Sequence, residues 1–256
     1  MVNSPLVSVI IPCYNHEKFV SQALQSVFDQ TYTNIELIVI DDGSKDNSVN
    51  IIKKIQENHE FTFVSQENSG VCKTLNKAIA MSKGKYVALL ASDDYWDLTK
   101  IAKQVDCLEL HPNSEFCFTQ AKEFDDKNIK YSKIFPKNLL TGKVLNQVFL
   151  RQHVPAGSMM FSRQLFDKLN GFDENLKEED WDFVIRSAAE TEFSAVSEPL
   201  FYYRSHETNI MKTRSRSEIF KQKALLLSKN FHLVSPFRWF FAISLHFVYD
   251  IILKKG

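Results

Sequence analysis

Glycine is scarce in this chain of 256 residues, which contains only 7. An oxidoreductase of the Rossmann type needs the turn GxGxxG directly after its first strand, because glycine lets the backbone approach the pyrophosphate of the cofactor. The corresponding turn here, Pro12-Cys13-Tyr14-Asn15, contains no glycine. The sequence therefore argues against a nucleotide-dependent oxidoreductase.

An excess of positive charge is also absent. Lys and Arg together number 31, as do Asp and Glu, so there is no global electrostatic basis for binding nucleic acid. Hydrophobic residues make up 44% of the chain and aromatic residues 12%. This composition is typical of a globular protein rather than a disordered one.

Signals for disulfides and for secretion are missing as well. The four cysteines show no CxxC spacing, and reduced thiols are the expected state. The N-terminus lacks a basic segment followed by a long apolar stretch, and the apolar run 6–11 is too short for a signal peptide. We therefore expect a cytoplasmic protein.

Strand and helix patterns alternate along the first 120 residues. Four apolar runs are predicted to be strands, at 6–11, 35–40, 61–64 and 86–91. Helical spacing predicts connecting helices at 16–30, from Ser44 or Asp46 to about residue 55, and from Val71 to near Gly84. This order predicts an α/β fold, with a mostly parallel sheet covered by helices on both faces.

The pattern loosens after residue 118. The polar, lysine-rich stretch 122–140 is expected to be a mobile loop or an insertion over the site. A strand is predicted at 157–162, followed by a short helix that ends at Gly171 and a further helix at 178–190.

Paired aspartates follow two of the predicted strands. Asp41 and Asp42 end the second run, and Asp93 and Asp94 follow the fourth. Ligands of open α/β sheets bind beyond the carboxyl ends of such strands, so a polar site is expected there. For either pair alone, a turn or a helix N-cap is the alternative.

Five short motifs carry a resemblance to a known family. They are VSVIIPCYN at 7–15, IDDGS at 40–44, NSG at 68–70, SDD at 92–94 and EDWD at 179–182. Over about residues 5–210 the chain resembles the family 2 glycosyltransferases of GT-A fold. The resemblance implies a nucleotide-binding half at about 1–120, an acceptor-binding half at about 121–210 and a C-terminal helical extension at 211–256.

The resemblance implies that the nucleotide of a sugar-nucleotide donor lies against the loops after the first four strands. The residues assigned to it on this basis are Pro12, Tyr14, Asn15, Asp41, Asp42, Asn68, Gly70, Lys73, Asn76 and Asp93. Tyr14 can stack on the base, and a buried core tyrosine is the alternative. Relatives commonly carry Ala-Arg-Asn where this chain has Thr74-Leu75-Asn76, so Lys73 is the candidate for the missing cation; a solvated surface lysine is the alternative.

The same resemblance implies a metal site and a base. Asp94, with His206, is expected to bind Mn²⁺ or Mg²⁺, which favour hard oxygen ligands; a surface histidine is the alternative for His206. Asp180 matches the general base, with Glu179 as the neighbouring candidate, and a single base implies inversion at the anomeric carbon. Ordinary stabilisation of a helix N-terminus is the alternative for both acids.

The C-terminal stretch 231–253 is rich in aromatic and aliphatic residues and is followed by Lys254 and Lys255. Arg238, His246 and Asp250 interrupt it, which disfavours a full membrane span. A helix lying on the inner face of the cell membrane is expected. A packed terminal helix or a homodimer contact is the alternative.

These features together predict transfer of a single sugar, from a UDP- or dTDP-sugar to a hydroxyl of a glycan or a lipid-linked acceptor. Assembly of bacterial surface polysaccharide is the expected setting. A non-catalytic module that binds a nucleotide-sugar or a membrane is the alternative. Processive synthesis is disfavoured, because the Gln expected three residues before Arg238-Trp239 is Ser235.

Overall fold

One mixed sheet organises the computed structural model, which describes residues 4–125, 131–176, 179–206 and 214–253. Within these residues the sheet has nine strands. They are β1 (Val7–Cys13), β2 (Ile35–Asp41), β3 (Thr62–Ser65), β4 (Tyr86–Leu89), β5 (Tyr95–Trp96), β6 (Ser114–Phe124), β7 (Tyr131–Phe135), β8 (Met160–Ser162) and β9 (Glu192–Arg204).

The strand order is β3-β2-β1-β4-β8-β6-β9-β5, with β7 paired to β6. The first four strands of this order are parallel, with Val7 opposite both Ile35 and Tyr86. Strand β8 is antiparallel to both β4 and β6, and β9 is parallel to β6. Strand β9 therefore runs in the same direction as β1, β2 and β4. The carboxyl ends of these four strands lie at the same end of the sheet, which is called the carboxyl edge below.

Helices cover both faces of the sheet. They are α1 (Val20–Phe28), α2 (Ser48–Gln56), α3 (Val71–Met81), α4 (Lys100–Leu110), α5 (Leu145–Leu150), α6 (Arg163–Lys168), α7 (Glu179–Glu190), α8 (Arg216–Lys229) and α9 (Pro236–Phe247). Helices α1, α2 and α4 pack in one apolar cluster with Val9 and Ile11, whereas α3 and α5 to α9 pack in the other with Ile10. Alternate residues of β1 thus face opposite clusters, which confirms the predicted α/β sheet covered on both faces.

The expectation of a loop or insertion at 122–140 is wrong at 122–124 and 131–135, which belong to strands, whereas residues 136–140 lie outside any helix or strand. Strand β6 continues through Lys122 to Phe124, and β7 pairs with it in antiparallel register, with Ala121 opposite Phe135. Residues 126–130 lie outside the described part. The strands lie towards one edge of the sheet, where polar side chains can remain in water, so their composition does not look like that of a buried strand.

The first helix is shorter than predicted. It begins at Val20 rather than at residue 16, because residues 16–19 form a turn in which Phe19 N and Val20 N both donate to His16 O. The turn separates His16 from the helix. His16 therefore faces the carboxyl edge of the sheet, where it becomes part of the site described below.

The C-terminal extension is joined to the domain core. Leu226 and Leu227 of α8 and Ala242 of α9 are fully buried in the cluster that contains α7. Asn230 donates from Nδ2 to Asp182 Oδ1 of α7 at 2.7 Å. Helix α9 is followed by a π-helical turn, Val248–Leu253. The predicted helical extension is confirmed.

A lysine is fully buried in the cluster on the α4 side. Lys100 donates from Nζ to Gln104 Oε1 at 2.6 Å, and Nζ lies 3.9 Å from the centre of the Trp96 ring. Burial lowers the pKa of Lys100 to about 7. Because burial disfavours its charged form, Lys100 reduces the stability of the fold at neutral pH.

Replacing Lys100 with Met should therefore raise the free energy of unfolding at about pH 7 by about 1 kcal/mol or more. The pKa of lysine is ordinarily 10.5 and is about 7 for Lys100 in the folded chain, so the unfolded state binds the proton more tightly between these values. The free energy of unfolding of the wild type should rise as pH increases between these two values. The difference in free energy of unfolding between Lys100→Met and the wild type should therefore become smaller. Urea unfolding at about pH 7 and about pH 9.5 measures both effects.

Lys103→Met provides the matched control, because Lys103 lies on the same helix and pairs at the surface with Glu198. Its effect should stay within about 0.5 kcal/mol. A Lys100→Met protein less stable than wild type at about pH 7 would show that the Gln104 and Trp96 contacts outweigh the cost of burial.

Candidate active site

The turn after β4 is fastened to the end of β9. Arg204 N donates to Asp94 Oδ1 at 2.8 Å, and Arg204 Nε donates to the Asp93 carbonyl oxygen at 2.7 Å. Asp94 and Arg204 are each only 4% exposed. Burial raises the pKa of Asp94 well above its usual value; the charge of Asp93 acts in the same direction, and the bond from Arg204 opposes it. Asp94 thus joins two strand ends.

Asp93, by contrast, faces two histidines. His206 Nε2 lies 3.0 Å from Asp93 Oδ2, and His16 Nε2 lies 3.8 Å from the same oxygen. One ligand atom from each of the three residues lies within 4.8 Å of the others. The Phe19 ring stacks on His206 with centroids 5.1 Å apart. The turn before α1, the turn after β4 and the end of β9 therefore meet in one cluster.

The chemistry of this cluster fits a divalent transition metal such as Mn²⁺. Its donors are two imidazole nitrogens and one carboxylate oxygen, a set that such ions accept. His16 Nδ1 lies 2.8 Å from Ser92 Oγ, which leaves Nε2 directed towards Asp93. Burial lowers the pKa of His16, and this favours the neutral imidazole that binds metal. Of the two predicted ligands, His206 belongs to this cluster, whereas Asp94 is bound to Arg204.

Asp42 organises the loop that leads into α3. Its Oδ1 accepts from Ser69 N at 2.9 Å and from Gln66 Nε2 at 2.8 Å, and its Oδ2 accepts from Gly70 N at 2.9 Å. Burial acts to raise the pKa of Asp42, but these hydrogen bonds prevail and lower it. Asp42 is therefore ionised at neutral pH and holds the predicted nucleotide residues Asn68 and Gly70 beside the end of β2.

The loop after β2 and the loop after β3 approach so closely that glycine is required between them. Gly43 has φ of +82°, and a Cβ placed there would lie 2.7 Å from Asn68 N. A side chain at residue 43 would force the loop after β2 away from the loop after β3. The contact brings Asp42, Gly43 and Asn68 together at the carboxyl edge.

The loop after β1 joins the loop after β2 through Asn15. Asn15 N donates to Ser44 Oγ at 2.8 Å, and its Oδ1 accepts from Lys45 N at 2.7 Å. Tyr14 remains 46% exposed, so its ring is not the buried core tyrosine that was the alternative. Pro12 lies within β1 and is half-buried.

Of three further predicted nucleotide residues, two make hydrogen bonds within the fold and one is exposed. Asp41 is fully buried, and its Oδ1 accepts from Gly43 N and Ser44 N, so it shapes the turn after β2. Asn76 exchanges two hydrogen bonds with the Phe172 backbone, both at 2.9 Å. Lys73 is exposed on α3. Asp41 and Asn76 therefore stabilise turns, whereas Lys73 has the exposure expected of a solvated lysine.

Asp180 lies in the first turn of α7 and is partly exposed. Burial raises the pKa of its carboxyl, while hydrogen bonds from Gln152 and from the backbone lower it in part. Gln152 Nε2 donates to Asp180 Oδ2 at 3.1 Å. The loop before α7 reaches the first turn of α3, where Cys72 Sγ donates to Leu176 O at 3.4 Å. The side chain of Glu179 lies outside the described part of the chain.

Several site residues were missed from the sequence. His16 directly follows Asn15 and was included in the first helix, although its position next to the motif was a usable signal. Ser92 was noted only as part of the SDD motif, and Arg204 lies outside all five motifs. Gln152 had no signal, because it lies in a stretch without a recognised motif.

Comparison with known proteins identifies the family. The chain matches the model described as Glycosyl transferase family 2 over residues 8–169. It is 34% identical over 176 residues to an uncharacterized glycosyltransferase of Rickettsia bellii, with 67% of this chain and 26% of the relative aligned. It is also 34% identical over 130 residues to the UDP-Glc:alpha-D-GlcNAc-diphosphoundecaprenol beta-1,3-glucosyltransferase WfaP of Escherichia coli, with 51% of each protein aligned. The aligned part thus spans between about a quarter and about half of these relatives.

Two solved structures share the fold. S. aureus TarS 1-349 in complex with UDP-GlcNAc has a TM-score of 0.74 at 19% identity, covering 95% of this chain and 73% of that one. Mannosyltransferase PcManGT from Pyrobaculum calidifontis, in complex with GDP-Man and Mn²⁺, has a TM-score of 0.73 at 17% identity, covering 98% and 71%. These similarities show the GT-A fold, and the family match extends over more than half of the sequence, so the chain belongs to glycosyl transferase family 2.

Proposed function

We propose that this protein transfers one sugar from a nucleotide-sugar donor to a hydroxyl group of an acceptor, with inversion at the anomeric carbon. The observation that carries the proposal is the convergence of the His16–Asp93–His206 cluster and the nucleotide loops on one edge of the sheet. Membership of the family supports the interpretation of this end of the sheet as the site of sugar transfer. Residues up to about 120 would bind the donor, and residues 121–210 would contribute to the acceptor side.

The donor is proposed to be a UDP- or dTDP-sugar. Tyr14 has the exposure needed to stack on the base, and the loops held by Asp42 and Asn15 lie beside it. The names of WfaP, with UDP-Glc, and of the TarS complex, with UDP-GlcNAc, support a uridine nucleotide.

His16, Asp93 and His206 would hold a divalent ion, and their two imidazole nitrogens favour Mn²⁺ over the alternative Mg²⁺. When bound, the ion supplies positive charge against the diphosphate of the leaving group. The role of metal ligand, first predicted for Asp94, is here given to Asp93: Asp93 faces the histidines, and Asp94 holds Arg204 and thereby the end of β9. Hydrogen bonds to His16 and stacking on His206 orient both imidazoles.

Asp180 is proposed as the general base. An acceptor hydroxyl is a weak nucleophile near neutral pH, so its proton must pass to a nearby group as its oxygen attacks the anomeric carbon. The bond from that carbon to the diphosphate breaks as the new glycosidic bond forms, and the proton remains on Asp180. Burial raises the pKa of Asp180, which brings its basicity closer to working pH.

A lipid-linked acceptor at the inner face of the cell membrane is the proposed setting. The C-terminal segment has an exposed apolar face that comprises Phe231, Phe237, Phe240, Phe241, Leu245, Phe247, Val248, Tyr249, Ile251, Ile252 and Leu253. His246 and Asp250 point inwards, where Asp250 pairs with Lys223 at 2.9 Å. Pro236–Leu253 is also apolar and long enough to meet the length and composition criteria for a membrane span.

An interfacial position suits this segment better than a span does. Phe237 is 79% exposed and Phe240 65% exposed, whereas Ala242 is buried in the core of the domain. One side of α9 is therefore fixed to the protein, and the other offers aromatic rings that settle at the headgroup boundary. The name of WfaP, which contains a diphosphoundecaprenol acceptor, supports a lipid-linked substrate.

The metal proposal predicts that His206→Ala and Asp93→Asn each weaken Mn²⁺ binding by about 10-fold or more. Titration calorimetry with Mn²⁺ in the presence of UDP measures the affinity. His232→Ala, which changes an exposed histidine of the C-terminal segment, serves as the control and should leave the affinity unchanged. Wild-type affinity in both site variants would exclude this cluster as the metal site.

The base proposal predicts that Asp180→Asn lowers kcat by about 100-fold or more while affinity for the donor stays unchanged. Its melting temperature should not fall, because a buried carboxyl with a raised pKa does not stabilise the fold at neutral pH. Asp182→Asn is the matched control: Asp182 accepts from Arg186 and Asn230, so the variant should melt at lower temperature. Full turnover by Asp180→Asn would contradict the proposal and show that another group is the general base.

The membrane proposal predicts that the intact protein floats with vesicles containing anionic lipid. The triple variant Phe237→Ser, Phe240→Ser and Phe241→Ser should remain at the bottom of the gradient, because it lacks three exposed rings of α9. A double variant of Leu98 and Leu110 to Ser, which alters exposed apolar residues elsewhere, should still float. Wild-type protein that stays out of the lipid fraction would contradict the proposal and favour a dimer contact.

A further inference from the structure

Gln152 lies in the loop that follows α5, and both ends of its side-chain amide are engaged. Nε2 donates to Asp180 Oδ2 at 3.1 Å, and Oε1 accepts from Val154 N at 3.2 Å. Since the backbone N–H of Val154 can only donate, it selects the oxygen of the amide and turns the NH₂ group towards Asp180. The orientation of Gln152 is therefore set by its own loop.

The end of α5, where the loop begins, is held by three hydrogen bonds. Arg151 N donates to Gln147 O within α5. His246 Nε2 lies 3.0 Å from Leu150 O, which joins α9 to the last residue of α5. Trp181 Nε1, in the residue after Asp180, donates to Val148 O of α5 at 2.7 Å. Helices α7 and α9 thus fix the end of α5, two residues before Gln152, relative to the first turn of α7.

We propose that Gln152 is a positioning residue for the transfer reaction, holding the Asp180 carboxylate in the orientation in which it accepts the proton of the acceptor hydroxyl. The inference rests on the proposed role of Asp180 as general base. A carboxylate offers about four lone-pair positions. The hydrogen bond from Gln152 occupies one of them and restrains rotation of the Asp180 carboxylate, and the remaining lone pairs can accept the proton. General bases act only within hydrogen-bond reach of the proton, which makes such restraint directly relevant to rate.

Gln152 also acts on the basicity of its partner. A hydrogen bond donated to the carboxylate favours its charged form, opposing the effect of burial on the pKa of Asp180. Other ionisable side chains lie on the elements packed around this point. They are Arg151 and His153 of the loop, Asp182 and Arg186 of α7, and His246 of α9 with its neighbours Asp250 and Lys223.

Gln152→Ala should lower kcat by about 10-fold to 100-fold, the range expected when a hydrogen bond to a charged group is lost. KM for the donor should not change, because Gln152 acts on the acceptor side. The acidic limb of the kcat–pH profile should move to higher pH, since Asp180 loses a donor. Gln152→Glu should move this limb further in the same direction, because it places a second carboxylate beside Asp180.

Gln147→Ala is the control, as Gln147 lies exposed on α5, one turn before the loop; its kcat and pH profile should match those of wild type. The same measurements on Asp180→Asn, alone and combined with Gln152→Ala, show whether Gln152 acts through Asp180. The combination should be no slower than Asp180→Asn alone. If Gln152→Ala fails to fold, Gln152→Glu retains the length of the side chain and carries the test through the pH profile.

The outcomes separate the two proposals. An inactive Asp180→Asn together with a Gln152→Ala protein of unchanged kcat and pH profile would overturn the positioning role and leave Asp180 as the base. A slower Gln152→Ala protein whose pH profile is unchanged, and whose defect persists in the Asp180→Asn background, would also overturn it. Full turnover by Asp180→Asn would overturn both the base and the positioning role.

Discussion

The contact between Asp94 and Arg204 is the constraint on which the site depends. A carboxylate buried after β4 is costly unless it receives hydrogen bonds, and it receives one from the backbone of β9. The guanidinium of Arg204 completes the contact through the Asp93 carbonyl oxygen and lies 4.7 Å from the Phe19 ring, at the start of α1. Arg204 thus contacts the turn after β4 and the start of α1 from its own position at the end of β9. Because these three segments are fixed together, Asp93 and His206 meet, and His16 approaches from the turn before α1. The geometry of the proposed metal site therefore follows from the contact between Asp94 and Arg204.

The members of the two aspartate pairs are used differently. Asp41, Asp42 and Asp94 are buried and accept hydrogen bonds from backbone N–H groups, whereas Asp93 faces His16 and His206. Adjacent carboxylates repel one another, and the hydrogen bonds to three of the four reduce the cost of placing them side by side. A sequence motif records that two aspartates are present and does not record which of them turns inwards.

The parts of the fold that were predictable are those where one physical factor dominates. Strands β1, β2 and β4 are buried on both faces, so each is a continuous apolar run that composition alone reveals. The last three residues of β6, 122–124, and the strand β7 are rich in polar residues and were expected to be part of a loop, because the pairing that orders them is a long-range property. Gln152 was not predictable for the same reason, and the only local signal for His16 was its position next to the first motif: the contacts of both residues are with partners 77 and 28 residues away, Asp93 and Asp180. Local periodicity carries no information on such contacts.

The C-terminal extension connects the surface of the protein to its chemistry. Helix α9 presents aromatic rings outwards, and its inner side holds the end of α5, next to the loop of Gln152, through the bond between His246 and Leu150. The His246 ring also packs edge-on against Trp181, the residue next to Asp180, with centroids 5.2 Å apart. An element that only anchored the protein would need no contact with the end of α5 or with the first turn of α7. Because the same helix supports the proposed base and exposes the apolar face, docking on a membrane would place the acceptor side of the site at the lipid surface. The orientation of the enzyme and the geometry of its base would then depend on one helix.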